Sequence, residues 1–466
     1  MTVSASLTSS LVRLPPPFSR SSWCLSEPPL TSVIWIVQIS PADAPSEADF
    51  EATGAAAADE TAASSSWGAQ QLPLAAGRAT RTASSFWTSL CRSLKMVIFT
   101  PKLNILLPLS PGALLANRFS RNRGLVFILS LLGMIPLAER IGYTTEQLSF
   151  FTGATVGGLL NCTFGNATEV VVSIFALKNG MTRIVQQSLL GSILSNMLLV
   201  LGFSFFCGGM VSKKAQFFDK ESAVLNSGML LMAVMALLLP ALLHFTRTEA
   251  HSGESELALS RFSSCVMLVA YTGYLIFQLQ SHKNQSDKEN EETVEDNSCS
   301  NEGEAAEISK WETIIWLGIF TAWISVISEY LVDAIEGAAE EWNMPITFIS
   351  VVMLPVIGNA SEHASAIMFA MKDKLDLTLG IAIGSSTQIS MFGIPFAVLV
   401  GWIMGHPMDL NFQLFETAVL FITVLVVAIL LQEGNSNYCK GMLLVLCYVI
   451  VAASFFLHVD ASALSN

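Results

Sequence analysis

Charged residues are scarce in this sequence. Asp, Glu, Lys and Arg make up 13% of its 466 residues, about half of the roughly 25% that is usual in soluble domains. Hydrophobic residues make up 52%, and the mean hydropathy is +0.55. These values exclude an ordinary soluble domain and predict a membrane protein. The formal net charge of -13 gives no support to nucleic-acid binding.

Signatures of resident metal sites and of catalysis are missing from the sequence. The eight cysteines include no Cys-x-x-Cys pair and the histidines do not have metal-ligand spacing, which argues against a zinc site and a disulfide framework. No nucleotide-binding loop, nucleophile motif or metalloprotease pattern is present. The sequence therefore predicts a protein that is not an enzyme and has no cofactor.

Apolar runs follow one another from Leu103 onward. A helix needs about 20 residues to cross roughly 30 Å of hydrocarbon. The predicted fold class is therefore all-α, a polytopic membrane protein with about eleven transmembrane helices. The predicted helices cover 103–119, 124–139, 148–177, 184–208, 222–245, 259–280, 311–335, 345–371, 376–403, 411–432 and 439–458.

The first hundred residues differ from the rest. Residues 1–100 contain Ser, Ala and Pro clusters with no helical apolar period, and we predict a disordered N-terminal extension. Its first forty residues carry Arg13, Arg20 and the single acid Glu27, which loosely resembles an organelle transit peptide. An unstructured cytosolic tail is the alternative. Residues 459–466 form a short C-terminal tail.

One motif occurs twice. Asn161–Glu169 reads NCTFGNATE and Gly358–His363 reads GNASEH, and in each copy the motif glycine is followed 26 positions later by a Gly-Ser pair, at Gly191 and Gly384. Five predicted crossings separate the copies, so the copies must enter the membrane from opposite sides. Inverted repeats around interrupted helices are a recurring transporter plan.

The predicted domains follow from this duplication. Residues 101–280 contain one extra helix and the first five-helix repeat, and 311–458 contain the second repeat. Residues 281–310 form an acidic linker between them. The linker lacks the ligand spacing of an EF-hand. It is either a solvated connection or a weak cation-attracting, regulatory element.

The duplicated motif places Glu169 and Glu362 inside apolar runs, where an unpaired charge is costly. If the inverted halves bring them together, burial and mutual repulsion favour protonation of the empty pair. Calcium prefers oxygen ligands, and two carboxylates would neutralise its charge. Protons and calcium would then compete for the same oxygens, and a proton gradient could drive calcium the other way.

The neighbouring residues suit such a site. Gly165 and Gly358 permit breaks that free backbone carbonyls, and Asn166 and Asn359 offer amides that either bind the ion or hold the broken turn. Small polar residues on two other segments could support the site or pack helices together. They are Ser192, Ser195, Asn196, Ser385 and Gln388, with Ser386 and Thr387 beside them.

Three further groups of ionisable residues lie in or beside apolar runs. His363 follows Glu362 and could relay protons, or be a polar residue satisfied by a neighbouring helix. Glu139 and Arg140 are interpreted as an interfacial pair. A carboxylate stripe on the seventh segment is either an ion vestibule or a helix end in water; it consists of Glu329, Asp333 and Glu336.

These residues carry a family resemblance. GNATE and GNASEH, together with Gly191-Ser-Ile-Leu-Ser-Asn196 and Gly384-Ser-Ser-Thr-Gln-Ile389, resemble the calcium/proton exchangers (CAX type) of plant and fungal vacuoles, over about 103–458. The resemblance implies that Glu169 and Glu362 bind the ion and the proton, and that His363 belongs to the second motif. It also implies an acidic segment between the halves and an N-terminal cytosolic tail that can be autoinhibitory.

The leading hypothesis is a secondary antiporter that exchanges Ca²⁺ for H⁺ and moves calcium from the cytosol into the vacuole. A sodium-driven or Mn²⁺-preferring exchanger is the alternative in the same class, and a cation channel is less favoured because the duplication supplies a complete site in one chain. A plastid membrane is the alternative location. The expected partners are membrane lipid, the transported Ca²⁺ and H⁺, and a second copy of the chain in a homodimer.

Overall fold

The computed structural model describes residues 94–99, 102–120, 122–212, 215–247, 254–292 and 307–458. Within these ranges the side chains of 99, 102, 153–155, 158–159, 161–162 and 281–292 are not described. Most of the predicted N-terminal extension, residues 293–306 of the predicted acidic linker and the whole predicted C-terminal tail lie outside the described residues.

The described chain is nearly all helical, as the sequence predicts. The helices are α1 (Leu109–Phe119), α2 (Arg123–Phe164), α3 (Ala167–Lys178), α4 (Thr182–Ser212), α5 (Lys220–Thr246), α6 (Glu254–Glu292), α7 (Lys310–Trp342), α8 (Ile346–Gly358), α9 (Ala360–Met371), α10 (Leu375–Met404), α11 (Leu414–Leu431) and α12 (Tyr438–Leu457). A short 3₁₀ turn, Lys102–Leu106, and a π turn, Lys95–Phe99, precede α1. Two short strands, β1 (Gln216–Phe217) and β2 (Asn435–Ser436), pair antiparallel.

Eight of the described helices are long and apolar enough to cross a membrane, and the bent pair α8 and α9, which meet at 58°, makes a ninth candidate. The polytopic fold is thus confirmed, whereas the count of eleven stays a prediction. The predicted first helix, 103–119, is interrupted beside Pro108, and α1 has only 11 residues. It is too short to span the membrane alone.

The predicted break between the second and third segments is wrong. Helix α2 continues through it for 42 residues, because the polar residues at that point are satisfied without leaving the helix. Thr144 and Thr145 donate to helix carbonyls, including that of Ile141 at 3.0 and 2.8 Å. Tyr143 donates to the Glu307 carboxylate at 3.0 Å, and Gln147 accepts from the backbone N–H of Glu307 at 2.9 Å.

The second copy does break at the equivalent place. Helix α7 ends at Trp342, Asn343 adopts a left-handed conformation with φ 51°, and Pro345 precedes α8. A proline cannot continue the hydrogen bonding of a helix interior. The corresponding stretch of α2 contains no proline, so the first copy remains one helix where the second has two.

The central part of the two halves folds alike. The sequence shift that carries Gly165 onto Gly358 also carries α3 onto α9 and the start of α4 onto the start of α10. Both α4 and α10 contain a π turn at their middle, Ser195–Val200 and Ile389–Gly393. Such turns frequently mark functional sites. The membrane-spanning window of α4 is 83% buried, that of α2 67% and that of α10 61%, against 22% for α12, so α2, α4 and α10 are the most enclosed of these eight helices.

Candidate functional site

The two motif glutamates occupy the same place in two half-helices. Asn166 and Asn359 have non-helical backbone angles and precede α3 and α9, and Glu169 and Glu362 lie in the first turns of those helices. Backbone N–H groups at a helix N-terminus lack intrahelical partners and carry partial positive charge. Each broken helix therefore directs a favourable dipole end toward its glutamate.

Two of the hydrogen bonds between the repeats involve equivalent positions. The Ser385 hydroxyl on α10 donates to Asn166 Oδ1 at 2.8 Å. The Asn359 amide donates to the Ser192 hydroxyl on α4 at 3.4 Å. Because Asn166 corresponds to Asn359 and Ser192 to Ser385, each repeat holds the broken turn of the other by the same pair of side chains.

These contacts also bring the two carboxyl groups together. Asn359 lies beside Glu169, Ser385 lies beside Glu362, and the charges of Glu169 and Glu362 interact. Glu169 Oε1 and Glu362 Oε2 are buried and have no hydrogen-bond partner within the described part of the chain. Buried acceptors of this kind require an explanation, such as an ion or water.

The other predicted site residues lie in different surroundings. Ser195 donates to the carbonyl of Ser192 within its own helix at 3.2 Å, so it does not bridge helices. Gln388 and Asn196 are buried, and Asn196 Nδ2 has no partner among the described atoms. His363 Nε2 is likewise buried and unpartnered in the described structure. Gly165 is exposed and Gly358 has open space at its Cβ position.

The two halves differ in how tightly they close around this centre. A Cβ at Gly191 would overlap the backbone of Val351 in α8, whereas at Gly384 no atom lies within 4 Å of the Cβ position. Val156 in α2 is 46% exposed, and its counterpart in α8, Ile349, is fully buried. Helix α8 is thus packed against α4, while the equivalent C-terminal part of α2 leaves Val156 exposed.

The carboxylate stripe of α7 reaches the surface. Lys178 lies 3.5 Å from Glu329, Asn179 donates to Asp333 at 2.8 Å, and Glu329, Asp333 and Glu336 are all exposed. This supports the interpretation of a helix end in water.

Glu139 and Arg140 form the predicted ion pair at 2.6 Å, although α2 does not end there.

A second polar cluster was not predicted from the sequence. Arg183 at the start of α4 lies 2.6 Å from the fully buried Glu416 of α11. Gln186 donates to the Asp409 carboxylate at 2.9 Å, beside a cavity of about 390 Å³. Burial, and then the charge of Glu256, raise the pKa of Asp409 above its ordinary value. The sequence signal that could have revealed this cluster is Glu416, a glutamate within the predicted apolar run 411–432.

The described residues contain no group of three or more His, Cys, Asp or Glu side chains that could hold a metal ion. A cation at the central site would therefore be held by two carboxylates together with neutral oxygens. Asn166, Ser192 and Ser385 provide such oxygens beside the glutamates. Carboxylates, amides and hydroxyls together are the hard oxygen ligands that calcium prefers.

Comparison with known proteins gives consistent matches. A family model described as sodium/calcium exchanger protein matches residues 124–280 and 312–457. The sequence is 65% identical over 373 residues to vacuolar cation/proton exchanger 5 of Arabidopsis thaliana, covering 80% of this chain and 85% of that protein. It is 62% identical over 376 residues to vacuolar cation/proton exchanger 3 of Oryza sativa subsp. japonica, covering 80% and 90%.

Solved structures agree with these matches. A selenium-substituted Ca²⁺/H⁺ antiporter protein named YfkE is similar with a TM-score of 0.62 at 34% identity, over 76% of this chain and 99% of that chain. An H⁺/Ca²⁺ exchanger named CAX has a TM-score of 0.58 at 13% identity, over 76% and 91%. The latter similarity concerns the fold alone.

Proposed function

The chain belongs to the sodium/calcium exchanger protein family, and from this premise we propose that it is a secondary antiporter that exchanges Ca²⁺ for H⁺ across the vacuolar membrane. It acts as a multi-pass transporter and not as an enzyme, and it moves cytosolic calcium into the vacuole. One observation carries the proposal: Glu169 and Glu362 lie together in broken half-helices, and each has a buried oxygen without a partner among the described residues.

The chemistry of this pair supports competition between two protons and one calcium ion. Two nearby carboxylates in a low-dielectric interior repel one another, so they stay together only if protons or a cation neutralise them. Calcium binds the ionised carboxylates and displaces their protons. The empty site takes up protons again, and this exclusive occupancy couples the two fluxes.

Ser385 can adapt to both states of Glu362. A serine hydroxyl has one proton to donate and an oxygen that accepts, and Ser385 contacts both Asn166 and Glu362. When Glu362 is protonated, its O–H donates to the Ser385 oxygen while Ser385 donates to Asn166. When Glu362 is ionised, its oxygens bind the cation, and the single Ser385 proton turns from Asn166 to a Glu362 oxygen. Ser385 thus keeps the carboxyl group in place throughout the cycle.

The remaining polar residues have supporting roles in this proposal. Asn359 lies beside Glu169 from the opposite repeat and is itself held by Ser192. Ser385 lies beside Glu362 of its own repeat and also holds Asn166. Ser195, Asn196 and Gln388 form the polar surroundings, and His363 passes protons to and from Glu362. Backbone carbonyls freed at Gly165 and Gly358 complete the oxygen ligands. One chain contains the whole site, so transport does not depend on formation of a homodimer.

Calcium uptake into liposomes tests the proposal. Purified protein is reconstituted, and radioactive calcium uptake is compared under a pH gradient, a sodium gradient, and a pH gradient with a protonophore. We expect uptake with the pH gradient, loss of uptake with the protonophore, and none with sodium alone. Uptake that follows sodium would move the protein to sodium-driven exchange. Uptake that ignores both gradients would indicate a channel. Competition with Mn²⁺ tests the selectivity.

The glutamate variants connect that activity to the site. Glu169→Gln and Glu362→Gln keep the side-chain shape but cannot exchange a proton, and each should abolish uptake while the protein still folds. Glu329→Gln is the matched control, because Glu329 is an exposed carboxylate of α7 that contacts Lys178. Full transport by either site variant would exclude the assigned roles.

A further inference from the structure

A polar network joins three helices at one end of the bundle. Arg183, Thr347 and Glu416 lie in the first turns of α4, α8 and α11. Arg183 Nη2 lies 2.6 Å from Glu416 Oε1. Gln187, one turn further along α4, donates from Nε2 to the same Glu416 oxygen at 3.3 Å and to the Thr347 hydroxyl at 3.3 Å. The network therefore connects α8 to α4 and, through Gln187, to α11.

The ion pair fixes the orientation of Gln187. Glu416 is paired with a guanidinium that is always charged, and an ionised carboxylate only accepts hydrogen bonds. The amide NH₂ of Gln187 must therefore face Glu416, and its second N–H is directed at Thr347. Gln187, Thr347 and Glu416 are all buried, and hydrogen bonds are electrostatically stronger in a protein interior than in water. Gln187 is thus held ready to bind α8.

The faces of α4 and α8 that carry this bond also make the close approach at Gly191. Gln187 and Gly191 are four residues apart on α4, and Thr347 and Val351 are four residues apart on α8. Residues at this spacing lie on one face of a helix. A Cβ at Gly191 would overlap the Val351 backbone. One turn of the contact is therefore held by close packing and the adjacent turn by a hydrogen bond.

The other half of the protein does not repeat these side chains. The sequence shift that relates the two halves places Gly380 at the position of Gln187. It places Asp376 at the position of Arg183, and Asp376 accepts from the backbone N–H of Asp219 at 2.7 Å. Since glycine has no side chain that could bridge two helices, packing of α8 against α4 has a support that packing of α2 against α10 lacks.

From this asymmetry we propose that the network is a one-sided lock, in which Gln187 and Thr347 are positioning residues that hold α8 against α4 and set the population of this conformation. Inverted repeats alternate by moving one half against the other around a fixed site, so α8 must leave α4 for the site to open at this end. The bond between Gln187 and Thr347 then breaks. Only the identification of the two conformations as transport states rests on the proposed antiport.

Thiol labelling at two equivalent reporter positions tests the lock. Ile349 of α8 is fully buried, whereas its counterpart in α2, Val156, is 46% exposed. Each is replaced by cysteine in a separate full-length protein. Labelling of that position by N-ethylmaleimide is followed by peptide mass spectrometry, in detergent and without calcium. Thr347→Val removes the acceptor at nearly constant side-chain size; it should label Ile349→Cys severalfold faster and Val156→Cys severalfold slower.

Opposite changes at the two reporters distinguish a shifted equilibrium from a loosened fold. A general loss of packing would label both positions faster, and either this result or unchanged rates would overturn the proposal. Gln187→Leu removes the donor and should give the same opposite changes, so it decides the test if Thr347→Val does not fold. Opposite changes in a protein that fails the calcium uptake test would reject the antiport function and keep the lock.

Two control variants identify the hydroxyl as the locking group. Thr347→Ser keeps the hydroxyl and should label like the parent protein at both reporters. Thr313→Val is the matched control, because Thr313 is also a buried threonine near the start of a helix, α7, and donates to the Ser309 carbonyl at 3.0 Å. It should leave both rates unchanged. If either control reproduced the effect of Thr347→Val, the bond to Gln187 would not be the lock.

Discussion

Gly191 of α4 lies so close to Val351 of α8 that a methyl group on Gly191 would overlap the Val351 carbonyl. The equivalent glycine of α10, Gly384, faces open space. Inverted repeats alternate by moving one half against the other around a fixed site. In the opposite state we therefore expect the C-terminal part of α2 to pack against α10 as closely as α8 packs against α4 here.

Gly191→Ala and Gly384→Ala should consequently fail in different ways. In the state described here, the added methyl group of Gly191→Ala pushes the backbones of α4 and α8 apart. This should destabilise the protein by about 1–3 kcal/mol. Gly384→Ala meets no atom within 4 Å, and alanine favours a helix by up to about 1 kcal/mol over glycine. We expect Gly384→Ala to fold as stably as the parent protein but to transport poorly, because the opposite state cannot close.

Thermal unfolding and calcium uptake, measured on the same preparations, distinguish these effects. A Gly384→Ala variant with normal uptake would contradict the mirrored closure. A Gly191→Ala variant with unchanged unfolding temperature would contradict the close approach of α4 and α8.

The equivalent hydrogen bonds Ser385–Asn166 and Asn359–Ser192 should contribute unequally to stability. Ser385 donates to Asn166 at 2.8 Å, whereas Asn359 and Ser192 are separated by 3.4 Å, near the limit of a hydrogen bond. Ser385→Ala should cost about 0.5–1.5 kcal/mol, the usual net value of one hydrogen bond, and Ser192→Ala should cost less. Thermal unfolding in detergent measures both. The reverse order would show that the two repeats are held by other contacts.

Local sequence was sufficient to predict the paired glutamates, the two broken turns and the all-helical membrane fold. Each depends on residues close together in the chain, such as Asn166 and Glu169. The continuity of α2 was missed because Tyr143 and Gln147 are satisfied by Glu307, which lies far along the chain. The ion pair of Arg183 and Glu416 was missed for the same reason. The domain boundaries stay predictions.

His363→Ala should change the pH dependence of transport without abolishing it. His363 directly follows Glu362, its Nε2 is buried without a partner among the described atoms, and a neutral imidazole accepts a proton at one ring nitrogen and donates from the other. Loss of this relay should alter the pH at which uptake is half-maximal. His406→Ala, in the exposed loop after α10, is the control and should behave as the parent protein. An identical pH profile for both variants would make His363 a structural polar residue.

Asp409→Asn should stabilise the protein at neutral pH, and the gain should shrink in acid. Burial and the Glu256 charge raise the pKa of Asp409, so the folded state binds this proton more tightly than the unfolded state does. Ionised Asp409 therefore destabilises the fold at a pH above its folded pKa, and this penalty disappears as the pH falls toward the unfolded value of about 3.9. Asparagine keeps the oxygen that accepts from Gln186 at 2.9 Å.

Glu433→Gln provides the matched control with the opposite sign. A hydrogen bond from Lys440 and its positive charge lower the pKa of Glu433. Ionised Glu433 therefore contributes stability above its unfolded pKa, and that contribution is lost as the pH falls through the folded pKa. Glu433→Gln should lower the unfolding temperature slightly at pH 7.5, since exposed ion pairs contribute little, and the difference should vanish in acid. If Asp409→Asn also lowered the unfolding temperature at pH 7.5, the Asp409 carboxylate would be stabilising, and the cost of its burial and the repulsion from Glu256 would not dominate.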